Sequence, residues 1–169
     1  MTNFLQTDFN YRAGKSGGAL GFPSYDADIS ERVCALYRKY HDELLHLSEI
    51  LLPVRKKIRQ SFDGCPGFCD VEAEFLYILI RETKPSVVFE ISSRHGFTTN
   101  FAVAALAKNQ HGRLECFEIT ESFSGVPAEE GIRSNIADLI SDIPVGVNIG
   151  DARNEANKKL KEITPDFVI

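Results

Sequence analysis

The 169 residues contain no apolar run approaching the ~20 needed to span a bilayer, so no membrane partner is expected. Positive charge is not in excess either: 19 Lys and Arg against 24 Asp and Glu give a formal net charge of -5. That leaves no global basic field for a nucleic acid backbone. A basic run such as Arg55, Lys56, Lys57 and Arg59 could form a local patch but reads more simply as the solvated face of a helix. The first residues, MTNFLQTDFNYRAGKSGG, lack the charged-then-apolar layout of a signal peptide. The cysteines Cys34, Cys65, Cys69 and Cys116 are too few and too scattered for a disulfide framework, and a reduced, cytoplasmic setting is expected.

Several familiar motifs are missing as well. No G-x-G-x-x-G is present, which counts against a dinucleotide dehydrogenase. AGKSGG resembles a phosphate loop, but Phe9 holds the place of its first glycine and no strand precedes it. Cys65 and Cys69 with His41 and His46 depart from zinc-ligand spacings, so no metal is expected. His95 has no second histidine at ligand spacing, and Arg94 beside it would oppose a cation. It reads as a loop histidine with a local hydrogen bond.

What is there is a soluble globular composition, 43% hydrophobic and 25% charged, long enough for one sizeable core. Residues 1–27 lack periodicity and read as an irregular arm. Residues 28–84 form a helical region. Ile29, Val33, Leu36, Tyr40, Leu44, Leu47 and Leu51 recur at helical steps over 28–52, with Asp28 or Ser30 available as a cap. Pro53 is expected to interrupt this helix, and VRKKIRQSF to form a second, short one. FDGCPGFCD reads as a loop, and DVEAEFLYILIRET as a further helix with Asp70 as its N-cap.

After Lys84-Pro85 the pattern changes. SVVFEI, RLECFEIT, VGVNIGDA and PDFVI read as strands separated by the helices TTNFAVAALAKN, IRSNIADLISDI and NEANKKLKEI. Gly112 is expected to end the first of these helices, and ESFSGVPAEEG to be a loop. Strands alternating with helices predict an α/β fold: a Rossmann-like parallel sheet of about four strands over 85–169, behind the helical preface. Because PDFVI looks like a strand cut short, the sheet is expected to be incomplete and the domain to continue past Ile169.

In open parallel sheets, ligands bind beyond the carboxyl ends of the strands. Those positions hold Glu90, Ser92, Ser93, Arg94, His95 and Gly96 after the first strand, Glu118 after the second, and Gly150, Asp151 and Ala152 after the third. Gly96 would let backbone N–H groups approach a ligand at a helix start. Glu118 lies 22 residues beyond Gly96, about the offset at which an acid accepts from ribose hydroxyls. Asp151 would accept from an exocyclic amine or cap the next helix. Three acids on one edge suit a nucleoside and would repel a pyrophosphate.

The stretch VVFEISSRHGFTTNFAVAALAKNQHGRLECFEIT resembles the first motif and second strand of class I S-adenosylmethionine-dependent methyltransferases, and is most similar to their small-molecule O-methyltransferase-like group. The similarity covers roughly residues 65–169, including CPGFCDVEAEFLY before the first strand. It implies S-adenosylmethionine as cofactor and methyl transfer to an oxygen or nitrogen of a small molecule or sugar. Glu90 would sit near the methionyl amino group. Ser92, Ser93 and Gly96, with Phe97 opening the helix, would surround the methionine portion. Glu118 would hold the ribose, with Asp151 and Ala152 facing the adenine. The family's E-x-G-x-G-x-G is here Glu90-x-Ser92-x-Arg94-x-Gly96, so two of three glycines are replaced. The acceptor-contacting part of such enzymes follows the fourth strand, so no catalytic base is assigned. The helical preface would be a lid over the acceptor pocket or a homodimer surface.

Overall fold

The computed structural model describes residues 27–60, 70–137, 139 and 142–169. The N-terminal arm and the loop carrying Cys65 and Cys69 lie outside the described residues. The chain divides into two compact units, Met1–His41 and Asp42–Ile169.

The first unit contributes α1 (Ala27–Lys39), which begins one residue before Asp28, so Asp28 and Ser30 fall inside its first turn. The expected break at Pro53 occurs instead at Tyr40, and α2 (His41–Gln60) runs through the proline. The charges explain the position. Arg38 and Lys39 close α1 and Asp42 and Glu43 open α2, each matching the dipole of the helix end it occupies. Pro53 is exposed, and its ring and missing N–H are accommodated within the continuous helix.

Within the second unit, α3 (Asp70–Thr83) packs along α4 (Phe97–Asn109). Its Arg81 grips Glu43 of α2 through Nε at 2.9 Å and Nη2 at 3.0 Å, and Tyr77 donates to the same carboxylate at 2.8 Å. The Arg81 guanidinium holds the Glu43 carboxyl below its ordinary range. Leu51, Ile58, Ile78, Ile80, Phe101 and Leu106 are fully buried helix residues of this core.

Strands β1 (Val87–Ile91), β2 (Arg113–Glu118), β5 (Val145–Ile149) and β6 (Phe167–Val168) form one parallel sheet in the order β5-β2-β1-β6. The chain winds outward from β1 through β2 to β5, then crosses back to place β6 on the far side of β1. This is the open Rossmann-like topology expected from the strand–helix alternation. Asp166 fastens β6 to β1: its carboxylate accepts from the backbone N–H groups of Ser86 and Val87, both at 2.8 Å. On β2, the fully buried Glu115 pairs with Arg113 and, at 3.6 Å, with Lys159 of α6 (Ala152–Lys159). Gly146 leaves room for it, since a Cβ there would overlap the Glu115 carboxylate.

Two local expectations differ. The left-handed cap of α4 is taken by Gln110 (φ 53°), two residues before Gly112. Gly112 is itself left-handed at the entry to β2, where a Cβ would strike the Pro85 carbonyl. The segment expected as a loop contains a short antiparallel hairpin, β3 (Ser122–Phe123) with β4 (Val126–Pro127), whose turn places Ser124 and Gly125 at positive φ. It leads directly into α5 (Ala128–Ile136).

Candidate functional site

At the carboxyl edge, Ile91 of β1 registers with Phe117 of β2, and Glu118 with Ile149 of β5, so the three strands end side by side. From β1 the chain turns sharply into α4. Ser92 has φ 67°, Arg94 φ 49° and Gly96 φ 79°. All three alternate positions of the turn are therefore left-handed, the region that favours glycine, although two carry side chains. Ser92 N donates to Phe117 O at 2.8 Å and Gly96 N to Ser93 O at 2.8 Å.

The acids hold distinct places around this turn. Glu118 is buried and spends both oxygens on backbone: Oε2 accepts from Arg94 N at 2.7 Å and Oε1 from Thr120 N at 2.8 Å. Its strand-end carboxylate thus shapes the turn directly. Glu90 lies beneath, accepting from Thr99 Oγ1 at 2.6 Å and from its cross-strand neighbour Cys116 Sγ at 3.5 Å. Burial pushes the Glu90 carboxyl above its ordinary value, more than these donors pull it down. Burial raises the Cys116 thiol too, assisted by the Glu90 charge. Ser93 Oγ is buried beside both groups without a hydrogen bond of normal geometry to either.

Asp151 stands across the edge as the N-cap of α6. It accepts from Arg153 N at 2.9 Å and pairs with the Arg153 guanidinium at 3.3 Å, which holds its carboxyl below the ordinary value. Ser92, Asp151 and Ala152 come together on an open cleft of about 230 Å³ whose other walls are Ile91, Phe117, Ile119 and Arg153. Phe97 does not reach it; the ring is buried and packs toward Phe101 at 6.0 Å. Glu90 and Ser93 are buried below the turn.

Sequence reasoning missed Ile91, Phe117 and Ile119. Ile119 is 66% exposed, an unusual setting for isoleucine that becomes intelligible as one wall of a cleft. Its place next to Glu118 at a strand end was the available signal. The walls are apolar and the rim carries a hydroxyl and a carboxylate, as suits a planar base with polar edges. The volume falls below the usual range for an entire drug-sized ligand, so the cleft suits one part of a larger molecule. His95 lies in the turn between β1 and α4, as expected of a loop histidine. Its ring lies 4.3 Å from that of Phe123 on β3, and burial, reinforced by Arg94, lowers its pKa. Among the described residues, no helix is long and apolar enough to cross a membrane, and no cluster of three or more His, Cys, Asp or Glu could hold a metal ion.

No protein-family model matches the chain, and comparison with curated proteins finds no match. Solved structures do match. A Klebsiella pneumoniae protein assigned as an O-methyltransferase superposes with a TM-score of 0.57 at 20% identity, over 70% of this chain and 51% of that one. The cofactor-bound Rv0187 from MTB gives 0.54 at 18%, over 99% and 60%. The SAH-bound Podospora anserina methyltransferase PaMTH1 gives 0.50 at 15%, over 87% and 58%. The chain thus spans between half and three fifths of the length of these structures. The fold is that of class I methyltransferases of the O-methyltransferase-like type.

Proposed function

We propose that this chain carries the cofactor-binding part of an S-adenosylmethionine-dependent methyltransferase acting on an oxygen or nitrogen of a small molecule or sugar. The observation that carries the reading is the β1–α4 turn. It is left-handed at Ser92, Arg94 and Gly96, the positions where the resembling motif has glycine, although two of the three carry side chains. Such strain persists where surrounding structure over-determines it, typically at ligand sites. The bound forms of the Podospora and MTB neighbours are consistent with the same ligand class.

In this reading the bound sulfonium supplies an activated methyl group for in-line transfer. The chain's own residues bind and orient. The Glu90 carboxyl, destabilised as an anion by burial, would gain its natural partner from the methionyl ammonium, and Ser93 Oγ would gain an acceptor or donor. Glu118 has lone pairs remaining on both oxygens for ribose hydroxyls. Ile91, Phe117 and Ile119 would sandwich the adenine, with Asp151 at its polar edge.

A second reading, a methyltransferase-like module without cofactor that serves binding or assembly, is favoured by Arg94 in a glycine position and by the existing hydrogen bonds to both Glu118 oxygens. A nicotinamide enzyme is a weaker option still, for want of G-x-G-x-x-G. Isothermal titration with S-adenosylmethionine, S-adenosylhomocysteine and NAD separates the three. Micromolar binding of S-adenosylhomocysteine, weakened at least tenfold in a folded Glu118→Ala variant, supports the first reading. A folded protein that binds none of the ligands favours the module.

A further inference from the structure

The β1–α4 turn is held from a second side, by a residue that touches neither the cleft nor the strand ends. Asn135 of α5 is only 7% exposed. Its Nδ2 donates to the His95 carbonyl at 2.8 Å, and its Oδ1 accepts from Lys57 Nζ of α2 at 3.2 Å. Lys57 fixes which way the amide faces. An ammonium only donates, so Oδ1 must point to it and Nδ2 to His95.

Together with Glu118, this pins both peptide planes that bracket the centre of the turn. Glu118 holds the N–H of Arg94, and Asn135 holds the carbonyl of His95. The dihedral angles between those planes are those of Arg94 and His95. A glycine at position 94 would adopt φ 49° unaided, whereas arginine is uphill of its ordinary basins there and needs the planes fixed.

We infer that Asn135 is a positioning residue that presets the ligand-binding turn through the His95 carbonyl, replacing the conformational freedom that glycine would have supplied at position 94. The inference deepens the proposed function and rests on it, because the turn is taken as the S-adenosylmethionine site. It also accounts for Lys57, which orients the amide from an element remote from the cleft.

The test uses Asn135→Asp, which keeps size and the partner for Lys57 but sets an acceptor against the His95 carbonyl. Two quantities are read: amide hydrogen exchange in the ligand-free protein, and affinity for S-adenosylhomocysteine by calorimetry. Asn135→Asp should speed exchange at Arg94 and Gly96 about tenfold, leave Leu114–Phe117 of β2 unchanged, and weaken binding about tenfold. Adding Arg94→Gly should restore most of the affinity, since glycine takes the left-handed conformation without the brace. A merely structural role would speed nothing at the turn selectively and would show no such rescue. Unchanged exchange at the turn overturns the inference whatever the affinity does, and so does unchanged affinity in a protein whose wild type binds. If the wild type binds no S-adenosylhomocysteine while exchange responds as described, the brace stands and the cofactor reading falls.

Discussion

Ser92 and Arg94 hold a glycine-favouring backbone conformation without being glycine. Both are left-handed where a side chain costs about 1–2 kcal/mol relative to glycine. Arg94→Gly should therefore stabilise the protein by about 1 kcal/mol, part of the gain being offset by the freer unfolded chain, and raise the melting temperature by about 2–4 °C in thermal denaturation. A lower melting temperature would mean that the arginine side chain contributes more than its conformation costs.

Glu90 carries the opposite kind of strain. Burial raises its folded pKa above the ordinary 4.5, so the native state holds the proton more tightly than the unfolded chain does. Its contribution to stability is accordingly complete below about 4.5 and is lost as pH rises through the folded value. Glu90→Gln should remove that pH dependence, raising the melting temperature of the ligand-free protein near pH 8 more than near pH 5, while weakening S-adenosylhomocysteine binding at least tenfold. Melting curves at the two pH values and one titration check both halves. Glu90 was marked by its strand-end position, but burial of its carboxyl beneath Thr99 and Cys116 depends on how α4 packs. Positive φ at Ser92 and Arg94 was signalled only by their standing at glycine positions of the resembling motif.

At the scale of elements, the sheet was the legible part. Four apolar β-rich runs alternating with helices left a parallel sheet as the economical arrangement, and β1, β2, β5 and β6 form it. The helix breaks at Tyr40 rather than at Pro53 because the charge reversal from Arg38-Lys39 to Asp42-Glu43 favours two helix ends there. The β3–β4 hairpin was missed because two-residue strands show no alternation, although Ser124-Gly125 is a turn signal. Gly146 illustrates a constraint that only packing reveals: it clears the path of the buried Glu115 carboxylate, which Asn148 also binds at 3.1 Å. Gly146→Ala should cost about 1–3 kcal/mol, measured by urea denaturation, through displacement of Glu115 from Asn148 and Lys159. Much of that loss should be recovered by pairing it with Glu115→Ala, which vacates the space.

At the scale of the molecule, the cleft lies at the ends of β1, β2 and β5, the edge where an open parallel sheet takes its ligand. The same edge collects Glu118, Asp151 and the glycine-poor turn, while Asn135 and Lys57 tie that turn to helices behind it. In the proposed function this edge holds a nucleoside with an amino-acid tail. Amide chemical shifts of the isotope-labelled protein, followed as S-adenosylhomocysteine is added, test it most directly. Saturable shifts are expected, concentrated at Ser92–Gly96, Glu118–Thr120 and Gly150–Arg153, with β6 and α3 unmoved. A folded protein whose shifts at those three segments stay in place would contradict it.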